Sequence, residues 1–305
     1  MALTRQISAA FGSPLGHICM VLSVTLWMAG LLTHKVVSEE IPLLTMLIWH
    51  LGLTSAVLWV VDWFFSRPRP PVRKYLAGIA RGLIAPGMVL IFNGLASRYL
   101  DGTTLIAFWG LVPLLVPIAA YVMLRETLSG SVMIGAAIAF AGVLTLAQLR
   151  GQTAITWWGV VLGLTCVCLA VIGAVLGRFL NRGKPHWVAM AVSQCTGAFI
   201  CVSIAGVITG APFVLPELDI SQFWLFGYMI FGMGLLNFLT YNYGLGRVPV
   251  GFGMLYTALS PLIGALLSWL WLYESLTSLQ FMLLLSCLIG ALYPHGVRLW
   301  ITYIR

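Results

Sequence analysis

Charged residues are so widely spaced in this chain of 305 residues that they divide it into ten long segments free of charge. Nearly all of these segments reach the roughly 17 to 25 residues with which a helix spans a bilayer. The third segment is short, so we expect the third helix to begin near Tyr75. Arg81 would then lie near the cytoplasmic end of this helix and extend its charge to the lipid head groups. We therefore predict an all-α integral membrane protein with ten transmembrane helices. The segments are residues 6–34, 41–61, 82–97, 102–124, 127–149, 151–177, 185–216, 220–246, 248–273 and 275–297.

The composition excludes the soluble classes of protein. Only 8% of the residues are charged and 61% are hydrophobic, whereas about a quarter of the residues in an ordinary soluble domain are charged. The net charge of +8 would otherwise be typical of nucleic-acid binding. In a membrane protein, cytoplasmic loops rich in Lys and Arg explain it. We therefore expect a lipid bilayer, and no nucleic acid, among the partners.

The distribution of Lys and Arg predicts the orientation. If the N-terminus is cytoplasmic, 13 of the 16 basic residues fall in cytoplasmic loops, and only Lys35, Arg98 and Arg150 fall outside. Six of the eight acidic residues also fall outside. The positive-inside rule favours this arrangement. We predict a multi-pass protein of the inner (plasma) membrane with both termini in the cytoplasm and with an uncleaved first helix.

The two halves of the chain resemble each other. A shift of 148 residues places 111–142 on similarly apolar sequence at 259–290, with Pro113 on Pro261 and Glu126 on Glu274. This register predicts two five-helix repeats, residues 1–150 and 151–305. Because five is odd, the second repeat enters the membrane from the opposite face. Inverted repeats are typical of secondary transporters, whose site lies near the midplane where the halves meet.

These motifs resemble the EamA-type proteins of the drug/metabolite transporter superfamily. The similarity comprises residues 247–251, 259–262 and 273–276 in the second half, 111–114 and 124–128 in the first, and the Trp-Met-Ala-Gly stretch at 27–30. The resemblance implies transport by alternating access, usually efflux, without ATP. His50 stands where many members carry Arg, which weakens any anion-binding role for that position.

The candidate substrate-binding residues are polar or aromatic groups within predicted helices. His50 is the ionisable residue nearest a midplane, where such groups are costly and often functional. A hydrogen bond to a neighbouring carbonyl, a substrate contact and proton transfer all remain open for it. Asn237, Tyr241 and Asn242 share part of one helical face, which fits either a cavity lining or interhelical hydrogen bonds. The full candidate set is Trp27, His50, Asn93, Trp109, Asn237, Tyr241, Asn242 and Tyr256.

A second set of residues is expected to act in gating or structure. Pro113 and Pro261 are predicted to interrupt the fourth and ninth helices and to kink them. Glu126 and Glu274 lie at helix ends, where capping, packing and gating are all open.

The sequence contains no HExxH, GxSxG or phosphate-loop motif, so we expect no enzymatic activity, no cofactor and no metal site. We predict a secondary transporter, with export the expected direction, of small metabolites such as amino acids or amines. Strongly anionic cargo is disfavoured because no Lys or Arg is expected at the midplane. A lipid flippase or a non-transporting sensor on the same fold remains the alternative. Proton coupling and a monomeric or homodimeric state stay open.

Overall fold

A computed structural model describes residues 13–38, 40–66, 69–96, 98–100, 108–150, 156–182, 186–214, 218–271 and 277–304. Within these ranges the regular structure is helical, and no residue is in a β-strand. The helices are α1 Pro14–Val37, α2 Leu43–Phe65, α3 Val72–Ala96, α4 Val112–Leu124, α5 Gly130–Arg150, α6 Trp157–Asn181, α7 Trp187–Thr209, α8 Ile220–Arg247, α9 Val250–Trp271 and α10 Ser278–Ile304.

The helices are those of a multi-pass membrane protein. In the described ranges seven of them are long and apolar enough to cross a bilayer: α1, α2, α3, α6, α7, α8 and α9. Val112–Leu124, Gly130–Thr145 and Phe281–Val297 are shorter apolar helices. The predicted all-α membrane fold is confirmed, whereas ten complete spans remain a prediction.

Proline and capping residues determine where several helices begin. Pro14 lies in the first turn of α1, and Pro42, Pro71 and Pro249 immediately precede α2, α3 and α9. At a helix start the missing N–H of proline costs nothing. Asp219 forms a capping box with Gln222 at the start of α8. Its hydrogen bond from the backbone N–H of Gln222 lowers the pKa of Asp219.

The chain divides into two compact units by its internal contacts. The first unit lies within residues 1–94 and 176–248 and contains α1, α2, most of α3, the end of α6, α7 and α8. The second lies within 95–175 and 249–305 and contains α4, α5, most of α6, α9 and α10. Each unit therefore combines helices from both predicted repeats.

Helix α7 is the central element of the first unit. Its residues from Val188 to Cys195 are all buried. The helix has no charged residue, and its apolar side chains are not confined to one face. It packs against α2 and α3. A helix that is hydrophobic all round is typical of the interior of a membrane bundle.

Two helices of the first unit are interrupted at matching positions. Leu83–Met88 of α3 and Met229–Leu236 of α8 are π-helical. Within the α3 interruption, Ala85 is extended (φ −139°, ψ 118°) and is followed by a cis peptide bond to Pro86. Proline removes a backbone donor and blocks the preceding turn. The shift of 148 residues places Met88 on Leu236, so both interruptions end at the same position of the predicted repeats.

The prediction for Pro113 is wrong. Because α4 begins at Val112, Pro113 lies in the first turn of the helix, where it causes no kink. Pro261 follows a 3₁₀ turn, Tyr256–Leu259, within α9. The ninth helix is therefore irregular just before its proline, while a kink at Pro261 remains a prediction.

In the second unit the backbones of α5 and α10 touch. A Cβ added to Gly135 would lie 2.3 Å from the carbonyl O of Gly290, and one added to Gly290 would lie 2.3 Å from the carbonyl O of Gly135. Such contacts between small residues are how membrane helices approach closely. Val143 and Leu284 belong to a buried apolar cluster on the same pair of helices.

Glu126 caps the start of α9. Arg125 ends α4 in the left-handed conformation (φ 54°), and Oε2 of Glu126 then accepts a hydrogen bond from the backbone N–H of Val250 at 3.1 Å. A carboxylate stabilises the positive end of the helix dipole. Of the capping, packing and gating roles that the sequence left open for Glu126, this contact is a capping interaction.

We expect Glu126→Gln to lower the free energy of unfolding by about 1 kcal/mol, since it keeps the size of the side chain and removes the charge at the helix end. The measurement is the apparent melting temperature in detergent. Arg182→Gln, which removes the charge of an exposed residue, is the control. Equal melting temperatures for the two variants would show that the cap contributes nothing.

Candidate functional site

Glycines bring the backbones of α3 and α7 into contact. A Cβ on Gly197 would lie 2.1 Å from the carbonyl O of Ile79, and one on Gly82 would lie 2.1 Å from the carbonyl O of Gln194. This approach places the side chain of Arg81, next to Gly82, directly beside the side chain of Gln194.

Arg81 is buried, with only 2% of its surface exposed. Its Nη1 donates to Oε1 of Gln194 and to Oδ1 of Asn242, each at 2.9 Å. Its Cζ lies 5.6 Å from the ring centroid of Tyr241, within the range of a cation–π interaction. The expectation that Arg81 extends its charge to the head groups is therefore wrong, because α7 and α8 enclose the guanidinium.

The hydrogen bonds continue beyond Arg81. Asn242 Nδ2 donates to Gln194 Oε1 at 2.9 Å, and Asn181 Nδ2 donates to Asn242 Oδ1 at 3.1 Å. Gln194 Nε2 donates to the carbonyl O of Ala85 at 3.2 Å. That carbonyl lies in the interruption of α3, so a side chain of α7 satisfies a group that an unbroken helix would pair internally. We call Arg81, Asn181, Gln194, Tyr241 and Asn242 the Arg81 cluster.

The cluster holds a positive charge with neutral groups. Gln194, Asn242, Asn181 and Tyr241 supply amides and a phenol, which fix the guanidinium without cancelling its charge. Gly177 makes room for it, since a Cβ there would lie 2.4 Å from Nη2 of Arg81. Burying a charge costs several kcal/mol even after relaxation. A buried charge at membrane depth is therefore a candidate functional group.

His50 is paired with a second histidine. Its Nδ1 lies 3.3 Å from Nε2 of His34, and both rings are buried between α1 and α2. Nε2 of His50 has no hydrogen-bond partner within the described ranges, although it faces the backbone of Met229 at the start of the α8 interruption. His34 is thus one neighbour of His50, and the roles that the sequence left open for His50 stay open.

The other candidates of the first unit are separate from the Arg81 cluster. Asn237 is buried and accepts a hydrogen bond from Ser23 of α1 at 2.5 Å. Trp27 packs against the apolar core, and Asn93 is half-buried near the end of α3. Of the predicted polar face, the structure joins Tyr241 and Asn242 to one cluster, while Asn237 bridges to a different helix.

The remaining candidates belong to the second unit or lie outside the described residues. The hydroxyl of Tyr256 is 2.9 Å from Nε2 of His295, and the two rings stack. Trp109 is half-buried just before α4. Glu274 lies outside the described residues. Within those residues, no group of three or more His, Cys, Asp or Glu side chains is placed to hold a metal ion.

Sequence reasoning missed Arg81, His34 and Asn181. Arg81 could have been recognised from its neighbours in the sequence. Gly78 and Gly82 on either side indicate close helix packing, and Pro86 indicates an irregular backbone. Nothing in the sequence distinguishes His34 or Asn181, whose partners come from other helices.

Comparisons with known proteins agree on one family of transporters. The family model described as the EamA-like transporter family matches twice, over residues 14–148 and 157–293. The uncharacterized transporter YyaM of Bacillus subtilis (strain 168) is 25% identical over 232 residues, which cover 72% of this chain and 74% of YyaM. The uncharacterized transporter YetK of the same organism is 22% identical over 297 residues, covering 92% of this chain and 87% of YetK.

A solved crystal structure has the same fold. It superposes with a TM-score of 0.77 at 18% sequence identity, over 92% of this chain and 96% of the other. The two family matches together cover most of the chain, and the resemblance noted in the sequence is confirmed. The chain belongs to the EamA-like transporter family and is a membrane transporter.

Proposed function

We propose that this protein is a secondary transporter that exports small metabolites, such as amino acids or amines, across the inner membrane by alternating access. The observation that carries the proposal is the Arg81 cluster, which is buried beside the interruption of α3. Substrate sites of secondary transporters are often built where a membrane helix is discontinuous, because unwound backbone there can face a ligand.

The matching interruption of α8 supports the same mechanism. It lies beside the His34–His50 pair, as the α3 interruption lies beside Arg81. Interruptions of this kind let the two parts of a helix move separately without breaking long runs of hydrogen bonds. Two inverted repeats, with both termini in the cytoplasm, would supply the two symmetry-related arrangements that alternating access needs.

The interior of the first unit also suits small metabolites. Its apolar core includes Met46, Leu51, Phe226 and Met229 in one cluster, and buried polar groups such as Asn237 lie elsewhere in the unit. An apolar interior with few polar groups gives a site that orients a small molecule by specific contacts. We propose that the protein catalyses no covalent chemistry on its cargo.

The test is transport by purified protein in liposomes. Vesicles are loaded with radiolabelled amino acids or amines, and release is compared with that from protein-free vesicles and from vesicles holding Arg81→Met. We expect saturable release of at least one of these compounds by the wild type and reduced release by the variant. Retention of every amino acid and amine would contradict the proposal. Movement of a labelled lipid between leaflets instead would identify a flippase.

A further inference from the structure

We infer that the Arg81 cluster binds a carboxylate group of the cargo, so that the preferred substrates are carboxylated metabolites such as amino acids and not simple amines. This inference rests on the proposed function. It replaces the sequence-based expectation that anionic groups are disfavoured, because that expectation assumed that no Arg lies within the bundle.

The Arg81 cluster carries a net positive charge. The amide oxygens of Gln194 and Asn242 hold Nη1 of Arg81, and the ring of Tyr241 lies over its Cζ. These groups are neutral, so the five side chains of the cluster together carry one positive charge. A guanidinium forms its strongest and most specific contacts with a carboxylate, which accepts hydrogen bonds from two donors at once.

Arg81 can exchange its hydrogen-bond partners at low cost. Oε1 of Gln194 accepts from Asn242 Nδ2 as well as from Arg81, and Oδ1 of Asn242 accepts from Asn181 Nδ2 as well as from Arg81. Each amide oxygen keeps a donor when Nη1 turns to another acceptor. A carboxylate can therefore replace these oxygens on Arg81 without leaving a buried oxygen unpaired, which would otherwise cost about 1 to 3 kcal/mol.

Gln194 connects the Arg81 cluster to the interruption of α3. Gln194 contacts Arg81 through Oε1 and the interrupted backbone of α3, at Ala85, through Nε2. When a carboxylate takes the place of Oε1 on Arg81, the amide of Gln194 keeps its hydrogen bond from Asn242 but loses the one from Arg81. The amide is then held less tightly, and so is its contact with the interruption. Tyr241, which is half-buried beside Arg81, offers an aromatic surface for the rest of the molecule. Binding of a carboxylate would thus favour a change in the backbone conformation of α3 at its interruption.

The experiment compares ligands that differ only in the carboxylate. L-leucine and L-phenylalanine are each tested against their amides and their decarboxylated amines, by binding to the purified full chain in detergent. We expect wild-type protein to bind the amino acids at least ~10-fold more tightly than the amides or amines, as a hydrogen bond to a charged group predicts. Equal affinity within each set, or binding of the amines alone, would overturn the inference.

Three variants identify the residue responsible. Gln194→Glu places a carboxylate beside Arg81 within the protein, so we expect it to remove the preference for amino acids while the protein stays folded. Arg81→Lys should keep part of the preference and Arg81→Met none of it. Arg182→Met, at an exposed arginine, is the matched control and should bind as the wild type does. A Gln194→Glu protein that keeps the full preference would overturn the inference even if Arg81→Met fails to fold.

The two proposals fail in different ways. If the liposomes transport amino acids and the carboxylate preference does not depend on Arg81, the inference is wrong and the proposed function stands. If carboxylates bind through Arg81 but no amino acid or amine crosses the membrane, the proposed transport is wrong and the site remains a carboxylate-binding site.

Discussion

Replacing Gly197 by alanine is expected to destabilise the protein by about 2 to 3 kcal/mol, the upper part of the range for overfilling a close-packed contact. The new Cβ would lie 2.1 Å from the carbonyl O of Ile79 and 2.9 Å from Cα of Gly82. Both are backbone atoms, which cannot turn aside as a side chain can. We therefore expect α3 and α7 to separate and the hydrogen bond between Arg81 and Gln194 to lengthen or break.

The measurement for Gly197→Ala is the apparent melting temperature in detergent, together with binding of the amino-acid ligands. Gly227→Ala is the control, because Gly227 lies in α8 of the same unit and a Cβ there meets nothing within 4 Å. Alanine is favoured over glycine in a helix by about 1 kcal/mol, so the control should be unchanged or more stable. If both variants have the same melting temperature, the close contact of α3 and α7 is not present.

Replacing Gly290 by alanine is expected to have an effect of similar size in the second unit. The added Cβ would lie 2.3 Å from the carbonyl O of Gly135 and 2.9 Å from the Cβ of Ala139. The two helices can relieve this overlap only by moving apart, which loses the packing that associates helices in a membrane. We expect a loss of about 2 to 3 kcal/mol.

Gly296→Ala supplies the comparison for Gly290→Ala. It makes the same substitution in the same helix, α10, where the added Cβ meets nothing within 4 Å. A lower melting temperature for Gly290→Ala than for Gly296→Ala is the expected result. A Gly290→Ala protein as stable as the wild type would contradict the contact between α5 and α10.

The charge spacing was sufficient to predict the class of fold. In lipid every backbone polar group must be paired within its own segment, so a long segment without charge is almost always a helix. The charge spacing measures the distance between charges and not the length of the helix, so the number of complete spans remains a prediction. In the described ranges α4 extends only from Val112 to Leu124, although its charge-free segment was longer.

The same reasoning misplaced Arg81. It placed the charge of Arg81 among the lipid head groups at the cytoplasmic end of the third helix, whereas the side chain is buried and α3 extends from Val72 to Ala96. The groups that hold Arg81 lie 113 and 161 residues further along the chain, at Gln194 and Asn242. Contacts over such separations depend on which helices become neighbours, and a single sequence does not record this. The contact between His34 and His50 could not be predicted for the same reason, because it joins two helices.

The local features could be predicted more fully. The acid after α4 was recognised as a capping candidate, and Glu126 does cap α9. The α3 interruption also has a local cause in Pro86, whereas the α8 interruption contains Gly232 and Gly234 and no proline. Glycine permits an irregular backbone without requiring one, so the second interruption could not be read from its residues.

Trans-stimulation of transport in liposomes tests the central claim most directly. Vesicles containing the purified protein and radiolabelled L-leucine or L-phenylalanine are diluted into buffer with or without the same unlabelled amino acid. A carrier that alternates between two faces returns faster when it is loaded, so unlabelled substrate outside should accelerate the release of label. We expect this acceleration in the wild type and its loss in Arg81→Met. Release at the same rate with and without external substrate would contradict transport by alternating access.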